Sequence, residues 1–151
     1  FNQEHESDML ARFGEKGFRI WKDASNRQRI ITPDIVGTVK GSCGDTISIA
    51  LTINGETIVA ADFDTDGCAS SQIAAATAAA LAVNKTLDEA VDIVDTDIIK
   101  ELGLFPDTDK HCTYLAAAAV REAVHRWMLR TTNSSSLAGQ PQTPNTKEVT
   151  P

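Results

Sequence analysis

Three cysteines, an aspartate and a histidine are the side chains of this chain best suited to chemistry. Cys43 lies in Gly41-Ser42-Cys43-Gly44-Asp45-Thr46, Cys68 in Asp66-Gly67-Cys68 and Cys112 in Lys110-His111-Cys112-Thr113. Each sulfur is flanked by glycine or a polar residue rather than set in an apolar run. Asp45 follows Cys43 by two residues, and in an extended segment residues i and i+2 face the same way. His111 immediately precedes Cys112. Cys68 and Cys112 also stand where helices should begin, where unpaired N–H groups and the helix dipole favour a thiolate. A thiolate binds metal or accepts sulfur. Three sulfurs with one oxygen or nitrogen make a full tetrahedral set for zinc, or three of the four thiolates that an iron–sulfur cluster normally uses. The competing reading of each cysteine is a small buried hydrophobe, and no C-x-x-C pair decides between the two by spacing. Adjacent residues of a helix do not face each other, so His111 is not expected to hydrogen-bond Cys112, which argues against a Cys/His nucleophile. His125 and His5 read as surface residues.

The elements that must position these groups follow from periodicity. Ile47, Ile49, Leu51 and Ile53 alternate with small polar residues, Asn54-Gly55 marks a two-residue turn, and Glu56 to Phe63 forms the second strand of a hairpin. With the turn at Asn54-Gly55, position i pairs with 109 − i. That register sets Cys43 opposite Asp66 and Cys68 opposite Gly41, two residues or about 6.6 Å out of step. A third strand is expected from Ile35 to Lys40. The alanine-rich run Ala69 to Val83 predicts a helix stopped by Asn84, and Thr86-Leu87-Asp88-Glu89 is a capping box that opens another through Val94. Thr96 to Leu102 predicts a short helix ended by Gly103. A last helix from Cys112 carries Ala116, Val120, Ala123, Val124 and Trp127 on one stripe. A short helix is expected from Ser7 to Lys16, closed by Gly17, with no clear period from Trp21 to Ile31. Strands followed by segregated helices define an α+β fold: a small antiparallel three-stranded sheet with helices packed on one face. Three divisions are expected: an N-terminal helix and irregular segment over 1–34, the main domain over 35–130, and a disordered tail over 131–151.

Composition narrows the function. The chain has 151 residues, 42% of them hydrophobic, a net charge of −7 and a mean hydropathy of −0.17, which suits one soluble domain with a real core. No apolar run reaches the roughly 18 residues of a membrane span. Residues 41 to 110 carry 3 basic and 13 acidic side chains, a balance that repels a phosphate backbone and argues against nucleic acid. The odd cysteine count and the lack of a signal-like start predict a reducing, cytoplasmic setting. The chain opens on Phe1, which leaves the natural N-terminus open.

The ordered motifs Gly41-Ser42-Cys43-Gly44-Asp45-Thr46, Asp66-Gly67-Cys68, Lys85-Thr86-Leu87-Asp88-Glu89-Ala90 and His111-Cys112 resemble the NifU/IscU family of iron–sulfur cluster assembly scaffolds. The resemblance spans about Val36 to Met128 and brings with it a SufE/NifU-like fold. It implies that Cys43, Cys68 and Cys112 are cluster ligands, with Asp45 or His111 near the fourth position. It also implies a transient [2Fe–2S] or [4Fe–4S] cluster, zinc in the cluster-free form, sulfur from a cysteine desulfurase and delivery to acceptor apoproteins. Such a scaffold is not an enzyme. Leu104-Phe105-Pro106-Asp107-Thr108-Asp109-Lys110 replaces the family's Leu-Pro-Pro-Val-Lys segment, which speaks against release assisted by an Hsp70-type chaperone. The Asn-Pro-Arg-Asn stretch is not evident, and Ala69 stands where a glycine often follows the second cysteine. No further cysteine-bearing domain occurs in these 151 residues, so a stand-alone scaffold is expected; a homodimer around a shared cluster stays open.

In this reading three thiolates hold the cluster and one exchangeable ligand, assigned to Asp45, keeps it labile. Cys112 is a candidate first acceptor of persulfide sulfur before it serves as a ligand. Two alternatives use the same residues: a zinc-containing sulfur-relay protein fed by a cysteine desulfurase, and a structural zinc module with no transfer role.

Overall fold

The computed structural model describes residues 3–24, 26–42 and 44–139. Cys43, the His5 side chain and the part of the expected tail beyond Gly139 lie outside the described residues. The element order is α1 (Gln3–Ala24), β1 (Ile35–Lys40), β2 (Thr46–Asn54), β3 (Thr57–Thr65), α2 (Ala69–Ala82), α3 (Leu87–Ala90), α4 (Asp95–Leu102) and α5 (His111–Gly139), with a 3-10 turn over Asp107–Asp109. The strands form one antiparallel sheet in the order β1-β2-β3, so the expected α+β architecture is present.

The hairpin register differs from expectation. Asn54 pairs with Thr57, so Gly55 and Glu56 are the turn residues and Gly55, at φ 66°, takes the left-handed position at the first of them. A bulge between Thr52 and Ile53 adds a further step, and Ile47 pairs with Thr65. The odd shift exchanges the faces of β3, bringing Phe63 beside Ile49 and Ala61 beside Leu51 on the inner side. It also aligns the strand entrances: Thr46 N–H donates to Asp66 Oδ1 at 2.8 Å, and Asp45 lies against Gly67. Asp66 is therefore opposite Thr46 rather than Cys43.

Ile47, Ile49 and Leu51 are fully buried beneath α2 and α5. The stripe on α5 is as expected: Ala116, Val120, Ala123 and Val124 are buried and Trp127 partly so. Gly37 on β1 makes that packing close, since a Cβ there would stand 2.2 Å from Ala123 N and 2.6 Å from Ala119 O. Arg126 and Arg130 donate to the carbonyls of Val36 and Asp34, tying α5 along β1 at its edge.

Two helices run past their expected ends. α1 reaches Ala24 because Gly14, at φ 76° and ψ 176°, kinks the chain without ending the run, so that Met9 and Phe13 before the kink are buried in the common core. α5 continues through Thr131, whose hydroxyl donates to the carbonyls of Trp127 and Met128 at 3.0 and 3.1 Å, and on to Gly139. The capping box is present, with Glu89 N donating to Thr86 Oγ1 and Thr86 N to Glu89 Oε1. Its helix is a single turn ending at Ala90, and α4 begins separately at Asp95. Among the described residues no helix is long and apolar enough to cross a membrane.

Candidate functional site

The start of β2, the start of α2 and the start of α5 meet at one corner. Cys68 is the N-cap of α2 and is exposed; Cys112 is the second residue of α5 and is buried. Asp45 precedes β2, in a turn closed by Gly41 N–H donating to Asp45 O at 2.9 Å. Cys43 belongs to that turn in sequence and lies outside the described residues.

Side chains link these elements. Ser71 Oγ donates to Asp45 Oδ2 at 3.2 Å and is 3.4 Å from Cys112 Sγ. His111 Nε2 is 3.7 Å from the same sulfur. The expectation that these neighbouring residues stay apart fails here, at the first residue of α5, where the His111 ring reaches the Cys112 sulfur. Next to this chain, Asp109 Oδ2 accepts from Ser70 Oγ at 2.6 Å and from Arg12 of α1 at 3.4 Å. The corner thus gathers Asp45, His111 and Cys112 into one contact chain, with Cys68 near enough to act on Cys112 electrostatically.

The helix-start argument for a Cys112 thiolate is not sustained. Burial pushes this thiol above its ordinary range; Ser71 opposes the shift, while Cys68, Asp109 and Asp45 add to it. Desolvation and three anionic or ionisable neighbours outweigh the dipole. The same field is what a cation would relieve. The donors are sulfur, carboxylate oxygen and imidazole nitrogen, a set that suits zinc or iron. Among the described residues no three His, Cys, Asp or Glu side chains are close enough to hold a metal ion as they stand. Closing a site therefore calls on Cys43 or on movement of exposed Cys68.

Sequence reasoning passed over Ser70, Ser71, Gly67 and Asp109. Part of the signal for the serines was in the sequence, two hydroxyls at the first turn of an otherwise alanine-rich helix; that both are buried is seen only in the fold. A Cβ at Gly67 would come within 2.5 Å of Ser71 Oγ and 2.9 Å of Asp45 Oδ2, so this glycine makes room for the contact. Asp109 sits in the segment that departs from the expected motif.

The profile of the NifU-like N terminal domain matches residues 15–134, and the chain belongs to that family. It is 33% identical over 113 residues to the iron–sulfur cluster assembly scaffold protein IscU 1 of Archaeoglobus fulgidus, covering 74% of each sequence. Two crystal structures share the fold. One is a NifU-like protein (N-terminal) from Brucella abortus, with a TM-score of 0.53 and 24% identity over 78% of this chain and 96% of that one. The other is a SUF-system scaffold from Fervidobacterium islandicum, with a TM-score of 0.59 and 20% identity over 76% and 98%.

Proposed function

We propose that this chain is a scaffold for iron–sulfur cluster assembly rather than an enzyme. It builds a [2Fe–2S] or [4Fe–4S] cluster on Cys43, Cys68 and Cys112, with Asp45 or His111 completing the set, and yields it to acceptor apoproteins. The observation that supports this reading is the corner itself: Asp45, His111 and Cys112 lie in one contact chain through Ser71, with Cys68 near enough to act on Cys112 electrostatically, in a chain whose relatives are named as scaffolds. In the cluster-free form the same donors would hold zinc.

Sulfur arrives from a cysteine desulfurase as a persulfide. A thiolate of the scaffold attacks the outer sulfur, the new S–S bond forms as the old one breaks, and the donor cysteine leaves as a thiolate. Exposed Cys68 can meet the donor directly, whereas Cys112 at 1% exposure has to be uncovered first. Each transferred sulfur takes two electrons from an external reductant to become cluster sulfide; three thiolates then secure the cluster, and the carboxylate of Asp45 is the ligand an incoming thiolate displaces.

Anaerobic reconstitution with iron, sulfide and reductant tests this. Visible sulfide-to-iron absorbance is expected, and it should fall away in Cys→Ser variants at positions 43, 68 and 112. Colourless protein retaining one firmly held zinc would overturn the proposal in favour of a relay or structural zinc role. Asp45→Ala should slow transfer to an acceptor several-fold; transfer as fast as the parent's would remove Asp45 from the labile position.

A further inference from the structure

A buried hydroxyl in a helix normally bonds back along its own helix. Thr77 of α2 does so, donating to Ile73 O at 2.7 Å. Ser71, six residues earlier and fully buried, bonds instead to residues of two other elements, Asp45 before β2 and Cys112 on α5. A hydroxyl has one proton and two acceptor lone pairs. With its proton given to the Asp45 carboxylate, its remaining contact is accepted from the Cys112 S–H. Gly67 supplies an independent sign that this meeting matters. Its backbone is not in the left-handed region, yet any Cβ there would drive Ser71 and Asp45 apart.

We infer that Ser71 is a positioning residue that turns the Asp45 carboxylate toward Cys112, so that one bound metal ion can take both. The inference rests on the reading of Asp45 and Cys112 as ligands. Ser71 itself is not a ligand; its effect passes through Asp45, the partially exposed side chain that would otherwise be free to swing into solvent.

Cobalt(II), added anaerobically to the metal-free full chain, serves as the probe, because thiolate-to-cobalt charge transfer and the d–d bands report the ligand set. Ser71→Ala should bind cobalt about tenfold more weakly, the scale on which groups behind a ligand usually act. Its d–d bands should move toward those of Asp45→Ala. The Ser71→Ala/Asp45→Ala double variant should bind no more weakly than Asp45→Ala alone. Thr77→Ala removes a buried hydroxyl from the same helix and should lower thermal stability while leaving cobalt affinity and spectrum as in the parent. Parent-like affinity and bands in Ser71→Ala, an additive double variant, or a Thr77→Ala loss equal to that of Ser71→Ala would each overturn the inference. A parent that takes up no cobalt would overturn the metal reading of the corner and this inference with it. A parent that binds, beside an unaffected Ser71→Ala, would remove only the role of Ser71.

Discussion

Asp62, on β3, and Asp45, before β2, are carboxylates of the same sheet layer in opposite surroundings. Asp62 is 5% exposed and fully engaged: Arg27 Nε and Arg29 Nε each donate to it at 2.8 Å, joined by the Ile30 and Phe63 N–H groups. Arg27 also lies 3.8 Å over the Phe63 ring and donates to the Phe63 and Ala24 carbonyls. Burial alone would raise the Asp62 pKa, but the two guanidinium and two backbone donors more than offset it and bring the value down to about 2. Asp45 has Ser71, and among the described residues no Lys or Arg forms an ion pair with it. Around it the anionic neighbours act the other way, raising the Cys112 thiol. Where cations are built in, the cluster fastens the segment after α1 to the sheet. At Asp45 no such cation is built in among the described residues, and that is where the proposed metal ion would have most to neutralise.

The largest test of this contrast exchanges damage between the two regions. Cys112→Ser should weaken zinc or cobalt binding by at least about 100-fold, equivalent to roughly 2.7 kcal/mol, and change metal-free stability little. Asp62→Ala should cost about 2 kcal/mol in urea unfolding, because it leaves two guanidiniums without their carboxylate, the partly exposed Arg29 holding the figure toward the low end. Its metal affinity should equal the parent's. A fall in metal affinity in Asp62→Ala comparable to that in Cys112→Ser would merge the two regions into one site.

A sharper test uses pH on the metal-free protein under reducing conditions. The Asp62 pKa is lowered on folding, so between the two values the unfolded chain binds more protons. Its contribution is present above the ordinary value of 3.8 and is lost as pH falls toward about 2. The Cys112 pKa is raised, so the folded chain keeps its proton longer. That contribution is present below the ordinary value of 9.0 and is lost as pH rises above it. Urea midpoints should therefore decline on both flanks, Asp62→Ala flattening the acid limb and Cys112→Ser the alkaline one. Each substitution flattening the opposite limb would contradict the assignment.

Much of this was legible from residue order. Alternation in β2, the Thr86 capping box and the α5 stripe are local patterns, and local patterns fix the elements that carry Asp45, Cys68 and Cys112. The register of the hairpin was not legible, because Asn54-Gly55 admits two turn placements and a bulge at Thr52/Ile53 leaves no mark in hydropathy. Gly17 read as the close of the first helix, yet it sits within α1, and the kink falls instead at Gly14, inside the expected helix. At the corner, the ligand types could be named but not their burial: a thiol at a helix start suggests ionisation, and only the tertiary packing over Cys112 reverses that. Ser71 escaped notice because its partners are 26 and 41 residues away.

The smallest expected effect lies at the link between α1 and the corner. Arg12 reaches Asp109 at 3.4 Å, with side-chain exposures of 41% and 24%, and also approaches Asp8 at 3.8 Å. Exposed pairs of this kind contribute about 0.5 kcal/mol or less. Asp109 is held independently by Ser70 at 2.6 Å, so Arg12→Ala should leave the fold and metal affinity nearly unchanged. It should still register in charge. Asp109 already pushes Cys112 upward, and removing the guanidinium beside it leaves that push less compensated. In a Cys43→Ser/Cys68→Ser background, which leaves Cys112 as the one thiol of the 151 residues, ultraviolet thiolate absorbance should then show Cys112 ionising at a higher pH in Arg12→Ala than with Arg12 present. A shift to lower pH would mean that the charge of Asp109 does not govern the thiol, and the anionic character assigned to the corner would have to rest on Asp45 alone.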